Sequence, residues 1–382
     1  MSNDADRVVF VQLSNFSDTN GAVERALPAR LHGRRLDVVS VWSIFKKSPI
    51  WLALGVAAGL RRHGLGRLRS GGALHAAVIK TPLFFRIASH IARREIARGG
   101  PAAAVLITQG LFDPTPVGGP LIVYTDDCML NPANRLFALE RSHPSHVAQE
   151  RRLFEHAARI AVGGSHVARA LASEYGLGPE KVTVVGMGAN VARPERRPED
   201  DALARYAAGR ILFVGYDWER KGGPELVEAF RRLSPRHPHA RLTIAGATPE
   251  IDHPAVEVLG RCPPERIAEL MRAASIFSLP SRLEPFGIAT VEAARFGLPT
   301  VATTVGGFPD TVVEGETGFL VPPGDVDALE TALDRLLADP ERARTMGRRA
   351  TEWAWDRFSW DTVAARLAEL IEAAIAERGA ER

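Results

Sequence analysis

Short apolar runs alternate with longer amphipathic stretches along the whole chain. Strand candidates in the first half are Val8–Leu13, Asp37–Trp42, Ala103–Thr108, Leu121–Thr125, Ile160–Val162 and Val182–Val185. In the second half they are Ile211–Val214, Leu242–Ala245, Val256–Leu259, Ile276–Leu279, Thr300–Ala302 and Phe319–Val321. Most are continuous apolar runs rather than alternations, which marks parallel strands buried on both faces. Helical patterns lie between them, as the crossovers of a parallel sheet require. The series restarts near Arg210, after the stretch 192–201 (ARPERRPEDD), whose prolines and charges suit a linker better than a core.

This pattern predicts an α/β protein with two doubly wound parallel-sheet domains facing a central cleft. The first occupies 1–195 and the second 205–355, joined by 196–204. A C-terminal helix in 356–382, with its pattern over Trp360–Glu377, is expected to pack back on the first domain. Ligands of doubly wound sheets bind at the carboxyl ends of the strands, on helix amino termini.

Composition adds exclusions. The 382 residues are 46% hydrophobic and 24% charged, which rules out disorder, collagen and coiled coil. Two cysteines, Cys128 and Cys262, make neither a disulfide framework nor a C-x-x-C site, so a reducing, cytoplasmic setting is expected. The amino terminus lacks the basic and apolar regions of a signal peptide, and no apolar run reaches bilayer-spanning length.

Net charge is only +3, yet Arg34–Arg98 holds thirteen Lys and Arg against two acids, Asp37 and Glu95. Such a field suits a phosphate, a nucleic acid or an acidic lipid surface. The competing reading is an arginine-rich composition, since 43 of the 48 basic residues are Arg. Within that window Ile50–Leu60 is uninterruptedly apolar between Lys46-Lys47 and Arg61-Arg62. It is too short to span a bilayer and suits its interface, with Trp51 as anchor; the competing reading is a buried helix. The expected partner is an anionic membrane met peripherally, at its cytoplasmic face, through 34–98, not nucleic acid.

The richest segment is Ser278–Gly318. A strand runs into the loop 280–285, then into a helix over about 286–296. Glu284 closes the loop, and Glu292 lies two turns down the helix. Phe286, Gly287 and Ile288 open that helix, where free N–H groups and the positive dipole end favour an anion. Gly287 permits close approach of a ligand.

Pro280-Ser281-Arg282-Leu283-Glu284-Pro285-Phe286-Gly287, Gly297–Thr303 (GLPTVAT), Gly306-Gly307 and Gly315–Val321 (GETGFLV) together resemble the retaining glycosyltransferases of family 4, with their GT-B fold and E-x7-E hallmark. Ile211–Phe230 resembles that family's first strand and phosphate loop in the second domain. The resemblance implies that Lys221 meets the donor diphosphate, that Glu284 holds donor-sugar hydroxyls, and that Glu292 holds the ribose diol. Thr290 is a further candidate for phosphate or sugar, or an ordinary helix residue. Gly215 and Gly246 end strands in the donor region. The family's arginine after the strand glycine is absent, because Tyr216 follows Gly215. Either Arg220 supplies that charge or the aromatic pair Tyr216 and Trp218 lines the site differently. In the first domain only Gly21 remains of the family's glycine-rich loop. Asp126 and Asp127 follow a strand and are candidates to meet sugar or acceptor, or to cap the next helix at Asn131-Pro132. His143, His146 and His166 read as surface or cap residues.

The resemblance implies transfer of a hexose from a nucleotide-diphosphate sugar with retention, the leaving phosphate taking the acceptor proton. It implies no metal and no other cofactor; the Asp pair alone lacks the ligands of a hard-cation site. The acceptor is expected to be a sugar or lipid-linked, cell-envelope glycan, with a soluble glycan or small aglycone as alternative. A sugar-nucleotide epimerase shares the architecture and would act without an acceptor. A non-catalytic relative would have lost the carboxylates or Lys221, which are present. A nicotinamide dehydrogenase is disfavoured, since no G-x-G-x-x-G follows either first strand.

Overall fold

The computed structural model describes residues 6–13, 18–63, 78, 79, 81–132, 144–191, 194 and 203–380. Most of the expected linker 196–204 and His143 lie outside these residues.

The first sheet comprises β1 (Arg7–Gln12), β2 (Arg35–Ser40), β3 (Ala104–Thr108), β4 (Leu121–Thr125), β5 (Arg159–Val162) and β6 (Val182–Val184). Its order is β2-β1-β3-β4-β5-β6, with every pair parallel. Helices α1 (Thr19–Ala26), α2 (Val41–Lys46), α3 (Pro49–His63), α4 (Pro82–Arg98), α5 (Pro144–His156) and α6 (Ser165–Tyr175) connect these strands.

The second sheet comprises β7 (Arg210–Gly215), β8 (Arg241–Gly246), β9 (Val256–Gly260), β10 (Ile276–Leu279), β11 (Thr300–Thr303) and β12 (Gly318–Val321), in the order β12-β11-β10-β7-β8-β9, again all parallel. Around it lie α7 (Leu203–Ala207), α8 (Gly223–Leu233), α9 (Pro264–Ala273), α10 (Ile288–Arg295), α11 (Phe308–Thr311), α12 (Val326–Leu337) and α13 (Pro340–Ala354), before the terminal α14 (Trp360–Ala380).

The apolar runs become the sheet interiors. β1, β3 and β4 are buried at every residue, whereas the edge strands β2 and β6 are largely half-buried or exposed. β2 begins and ends two residues before the expected Asp37–Trp42. Val41 and Phe45 sit one helical turn apart and both bury, so the chain turns into α2 at Val41. Trp42, Phe45 and Phe84 then pack ring on ring, Phe45 on Phe84 edge-on at 5.0 Å.

Two compact units result. The first takes residues up to Gly163, then Val167–Val185, and the chain from Val363 onward; the second takes Gly164–His166 and Gly186–Thr362. The apolar face of α14 explains its membership of the first unit from Val363: Val363, Leu367 and Ile371 are fully buried. Arg34 pairs with Glu372 at 2.8 Å, and Arg366 donates to the Val185 carbonyl at 2.9 Å.

Candidate active site

In the second sheet the strands are laid down outward from the middle: β8 and β9 on one side of β7, β10 to β12 on the other. The order reverses between β7 and β10, and an open parallel sheet leaves a crevice at such a switch point, outside the carboxyl ends of the strands. The loops leaving those two strands are 216–222 and 280–287.

Hydrogen bonds stitch the two loops together. The Asp217 carbonyl accepts from the Lys221 N–H at 2.9 Å, and the Asp217 carboxylate accepts from Arg220 Nε at 3.0 Å. Arg220 also donates to the Leu283 carbonyl at 2.8 Å, and the Arg282 N–H donates to the Arg220 carbonyl at 2.8 Å. Gly222 has φ +71°, and a Cβ there would stand 1.9 Å from the Pro280 carbonyl oxygen, so the crossing admits only glycine. Lys221 Nζ donates to Glu284 Oε2, which also accepts from Ser281 Oγ at 3.2 Å. A cation and a carboxylate thus meet, both mostly buried, at the edge of the crevice.

Gly306 and Gly307 support Glu284 from behind. The Gly307 N–H donates to the Glu284 carbonyl at 3.2 Å, and a Cβ on Gly306 would come within 1.7 Å of that oxygen. Phe286 is buried, edge-on to Phe358 at 5.9 Å. Gly287 caps α10, whose amino end therefore follows the Glu284 loop directly, with Ile288 half-buried in its first turn. Thr290 is buried, and its hydroxyl lies 2.6 Å from the Gly287 carbonyl and 2.8 Å from Thr311 Oγ1. That hydroxyl therefore fixes the cap.

Glu292 lies on the same helix, and its Oε1 accepts from the backbone N–H groups of Asn190 at 2.8 Å and Val191 at 2.9 Å. Burial pushes its pKa up, while those two N–H groups and the Arg295 charge oppose the rise. One of its two oxygens is therefore occupied by the chain itself.

In the first unit, Gly21 is half-buried in the first turn of α1, after β1. Asp126 and Asp127 follow β4. Asp127 Oδ1 accepts from the Cys128 N–H at 2.8 Å and from Asn131 Nδ2 at 2.7 Å, so this carboxylate organises the turn 127–131. Asp126 is half-buried at the strand end. Behind the turn, Glu150 of α5 accepts from the Met129 N–H at 2.9 Å and from the Tyr175 hydroxyl. Burial raises the Glu150 pKa to about 7, with the Tyr175 and Met129 hydrogen bonds opposing. His146 is buried on α5, stacked 6.4 Å from Phe85, and so is a core residue rather than a surface one. His166 occupies the first turn of α6. An open groove of about 960 Å³, lined by Thr115, His156, Arg159 and Arg378, lies at the amino ends of β4 and β5, the opposite edge of that sheet from Asp126.

Residues 205–353 match the family model for glycosyl transferases group 1. The second unit contains a group 1 glycosyl transferase domain. Over 199 residues the chain is 37% identical to a GDP-mannose-dependent alpha-(1-6)-phosphatidylinositol monomannoside mannosyltransferase of Mycolicibacterium smegmatis, covering 46% of this chain and 52% of that one. Over 251 residues it is 33% identical to a D-inositol 3-phosphate glycosyltransferase of Corynebacterium kroppenstedtii, covering 59% and 55%. The chain thus spans about half the length of these curated relatives. The fold is that of a sucrose-phosphate synthase from Thermosynechococcus elongatus, with a TM-score of 0.73 at 20% identity over 97% of this chain and 100% of that one. Together with the two parallel sheets, this likeness bears out the GT-B fold expected from the sequence.

The glycosyl transferase domain also holds groups that sequence reasoning missed. Tyr216 is 67% exposed, and the guanidinium of Arg261, which follows β9, lies 5.7 Å from its ring centroid. Arg220, one of the two alternatives for that missing charge, has two of its side-chain nitrogens committed within the loops, whereas Arg261 brings an exposed cation beside the residue that replaces the family's arginine. Arg282 pairs with the buried Glu225 of α8 at 2.5 Å and ties the Glu284 loop to that helix. No motif signals these pairs, because their partners are 45 to 57 positions apart. Among the described residues, no group of three or more His, Cys, Asp or Glu is placed to hold a metal ion.

Proposed function

We propose that this chain is a retaining glycosyltransferase that moves a hexose from a nucleoside-diphosphate sugar to an acceptor, with the donor held by the second unit. The observation that carries this reading is the meeting of Lys221 with Glu284 at the switch point, beside the amino end of α10, inside a group 1 glycosyl transferase domain. In the reaction, the bond from the anomeric carbon to the phosphate oxygen breaks, and negative charge gathers on the departing diphosphate. We assign the stabilisation of that charge to Lys221, Arg261 and the first amides of α10. A bound diphosphate competes for Lys221 and frees Glu284 to accept from sugar hydroxyls. The acceptor oxygen attacks on the face the phosphate leaves, and its proton passes to a phosphate oxygen, so no protein base is required. Glu292 offers its second oxygen to a ribose hydroxyl. Asp126 is the first-unit carboxylate we assign to sugar or acceptor, since Asp127 holds its own turn. The cationic roles are filled by side chains and amides, and the reaction is expected to run without a divalent metal or other cofactor.

For the acceptor we favour a lipid-linked glycan at an anionic, cytoplasmic membrane face, met through 34–98. The mannosyltransferase relative is named for a phosphatidylinositol glycolipid, and the basic window supplies the charge. Among the described residues, no helix is long and apolar enough to cross a membrane. A soluble acceptor is the second reading, favoured by the relative named for D-inositol 3-phosphate. Thermal-shift screening of uridine- and guanosine-diphosphate sugars, then proton NMR of the product formed in EDTA, tests the proposal. A product with the donor's anomeric configuration supports it. No nucleotide-sugar stabilisation, or an inverted product, overturns it.

A further inference from the structure

A surface helix ordinarily turns a charged or polar face to water. Helix α3 does not. It is half-buried, yet from Ile50 to Leu60 it carries no polar side chain on any face. Its inner side packs Trp51, Leu52 and Val56 against the core around two fully small positions: Gly55 and Gly59, one turn apart, are buried, and a Cβ on Gly55 would lie 2.7 Å from the Phe45 ring. That close approach fixes which side faces the core. Ile50, Ala53, Leu54 and Ala57 are left outside on one stripe, at helical spacing, with Ile50 70% and Leu54 47% exposed. These two are among the few large apolar side chains of the described residues that stand exposed.

The ends of the stripe are cationic. Lys46 and Lys47 precede it and Arg61 follows it, all exposed. The neighbouring helix α4 touches α3 where Trp51 meets His90 at 6.4 Å, and its own outer side presents Arg86, Arg93 and Arg94. Both acids of the window are already neutralised. Asp37 pairs with Arg7 at 3.3 Å and Arg35 at 2.9 Å, and Glu95 with Arg94 at 3.2 Å and Arg98 at 2.9 Å. An apolar stripe framed by an excess of cations over acids matches a layer whose surface is anionic and whose interior is hydrocarbon.

We propose that the outer face of α3, Ile50, Ala53, Leu54 and Ala57, lies in the headgroup boundary of an anionic bilayer, held there by Lys46, Lys47, Arg61 and the cationic side of α4. The inference deepens the membrane-acceptor reading and rests on it for its purpose, while its evidence is the face itself. The apolar stripe predicts a binding component that survives salt, and the cations one that salt removes.

The test is co-sedimentation of the full chain with vesicles of phosphatidylcholine alone or mixed with phosphatidylglycerol, at low and high salt. The wild type is expected to sediment with the anionic vesicles, and a part of that binding to persist in high salt. The double variant Ile50→Asn/Leu54→Asn is expected to lose about tenfold in binding and the whole salt-resistant part. Lys46→Ser/Lys47→Ser is expected to lose mainly the salt-sensitive part. Both pairs are exposed, so melting temperature and nucleotide-sugar binding serve as controls for folding. Absence of sedimentation with anionic vesicles overturns the proposal, as does equal binding by the Asn variant. Self-association that the Asn variant abolishes, without vesicle binding, also overturns it and assigns the stripe to a second copy. Failure of the glycosyltransferase reading would appear separately, as absence of nucleotide-sugar binding with vesicle binding intact.

Discussion

Lys221 and Glu284 lie 63 positions apart and form an ion pair whose side chains are 14% and 8% exposed. Neither residue signals the other in the sequence. The pair exists because β7 and β10 are neighbours in the sheet and their loops leave at the same edge. Removing one partner strands the other charge in a poorly hydrated place, so isosteric neutral replacements separate chemistry from folding better than alanine does. Glu284→Gln and Lys221→Met are each expected to reduce transfer about 10²–10³-fold. The double variant should fall well short of the product of the two effects, since both side chains serve one site. Steady-state rates with the sugar nucleotide found by thermal shift check this, with melting temperature as the control. Near wild-type rates would remove both residues from the reaction.

Glu292 serves the fold as well as any ligand. Glu292→Ala leaves the N–H groups of Asn190 and Val191 without their acceptor and is expected to cost about 1–3 kcal/mol for the buried Val191 N–H, and less for that of the exposed Asn190, which water can reach. Glu292→Gln keeps an amide oxygen for them and should restore most of the stability while weakening nucleotide binding. Denaturant melts of the three proteins, beside nucleotide titrations, distinguish these effects. Equal melts for Ala and wild type would show that the hydrogen bonds contribute nothing.

Arg261 lies over the ring of Tyr216, at the position where the family's arginine is missing. Arg261→Ala is expected to weaken uridine or guanosine diphosphate about tenfold, with little change for the parent nucleosides, since a diphosphate contact is charge-assisted. Tyr216→Phe should retain most of the affinity, because the guanidinium needs only the ring face. Calorimetric titration decides. An equal loss for nucleoside and diphosphate would place Arg261 against the base instead.

The carboxyl of Glu150 titrates near pH 7 in the folded protein because burial disfavours its charge. Its folded pKa is raised, so between the unfolded carboxylate value of about 4.3 and about 7 the folded state binds the extra proton, and stability falls as pH rises through that window. Glu150→Gln removes that dependence. Its stability relative to wild type should therefore climb from pH 5 to about pH 8 and then level off. Melting curves across that range test the sign, and a relative stability that falls with pH would contradict it. The same variant should disturb the turn 127–131 little, because an amide oxygen still accepts from the Met129 N–H.

The order of elements was legible in the sequence. Continuous apolar runs mark strands buried on both faces, and all twelve candidates became strands of the two sheets, with Asp37–Trp42 displaced toward its amino side. The glutamates at 284 and 292, the glycines at 287, 306 and 307 and Lys221 stood out because a family motif is a local string. Glycine tolerates the positive φ and close backbone approach that this local geometry demands. What the sequence did not determine was pairing. An apolar run says that a strand is covered, not which strand lies beside it. Tertiary structure therefore decided that β7 adjoins β10, that Lys221 reaches Glu284, and that the amides of Asn190 and Val191 engage Glu292. It also decided which side of α3 is buried. An uninterrupted apolar helix carries no pattern that names its inner face, and only the fit of Gly55 against Phe45 turns Ile50 and Leu54 outward.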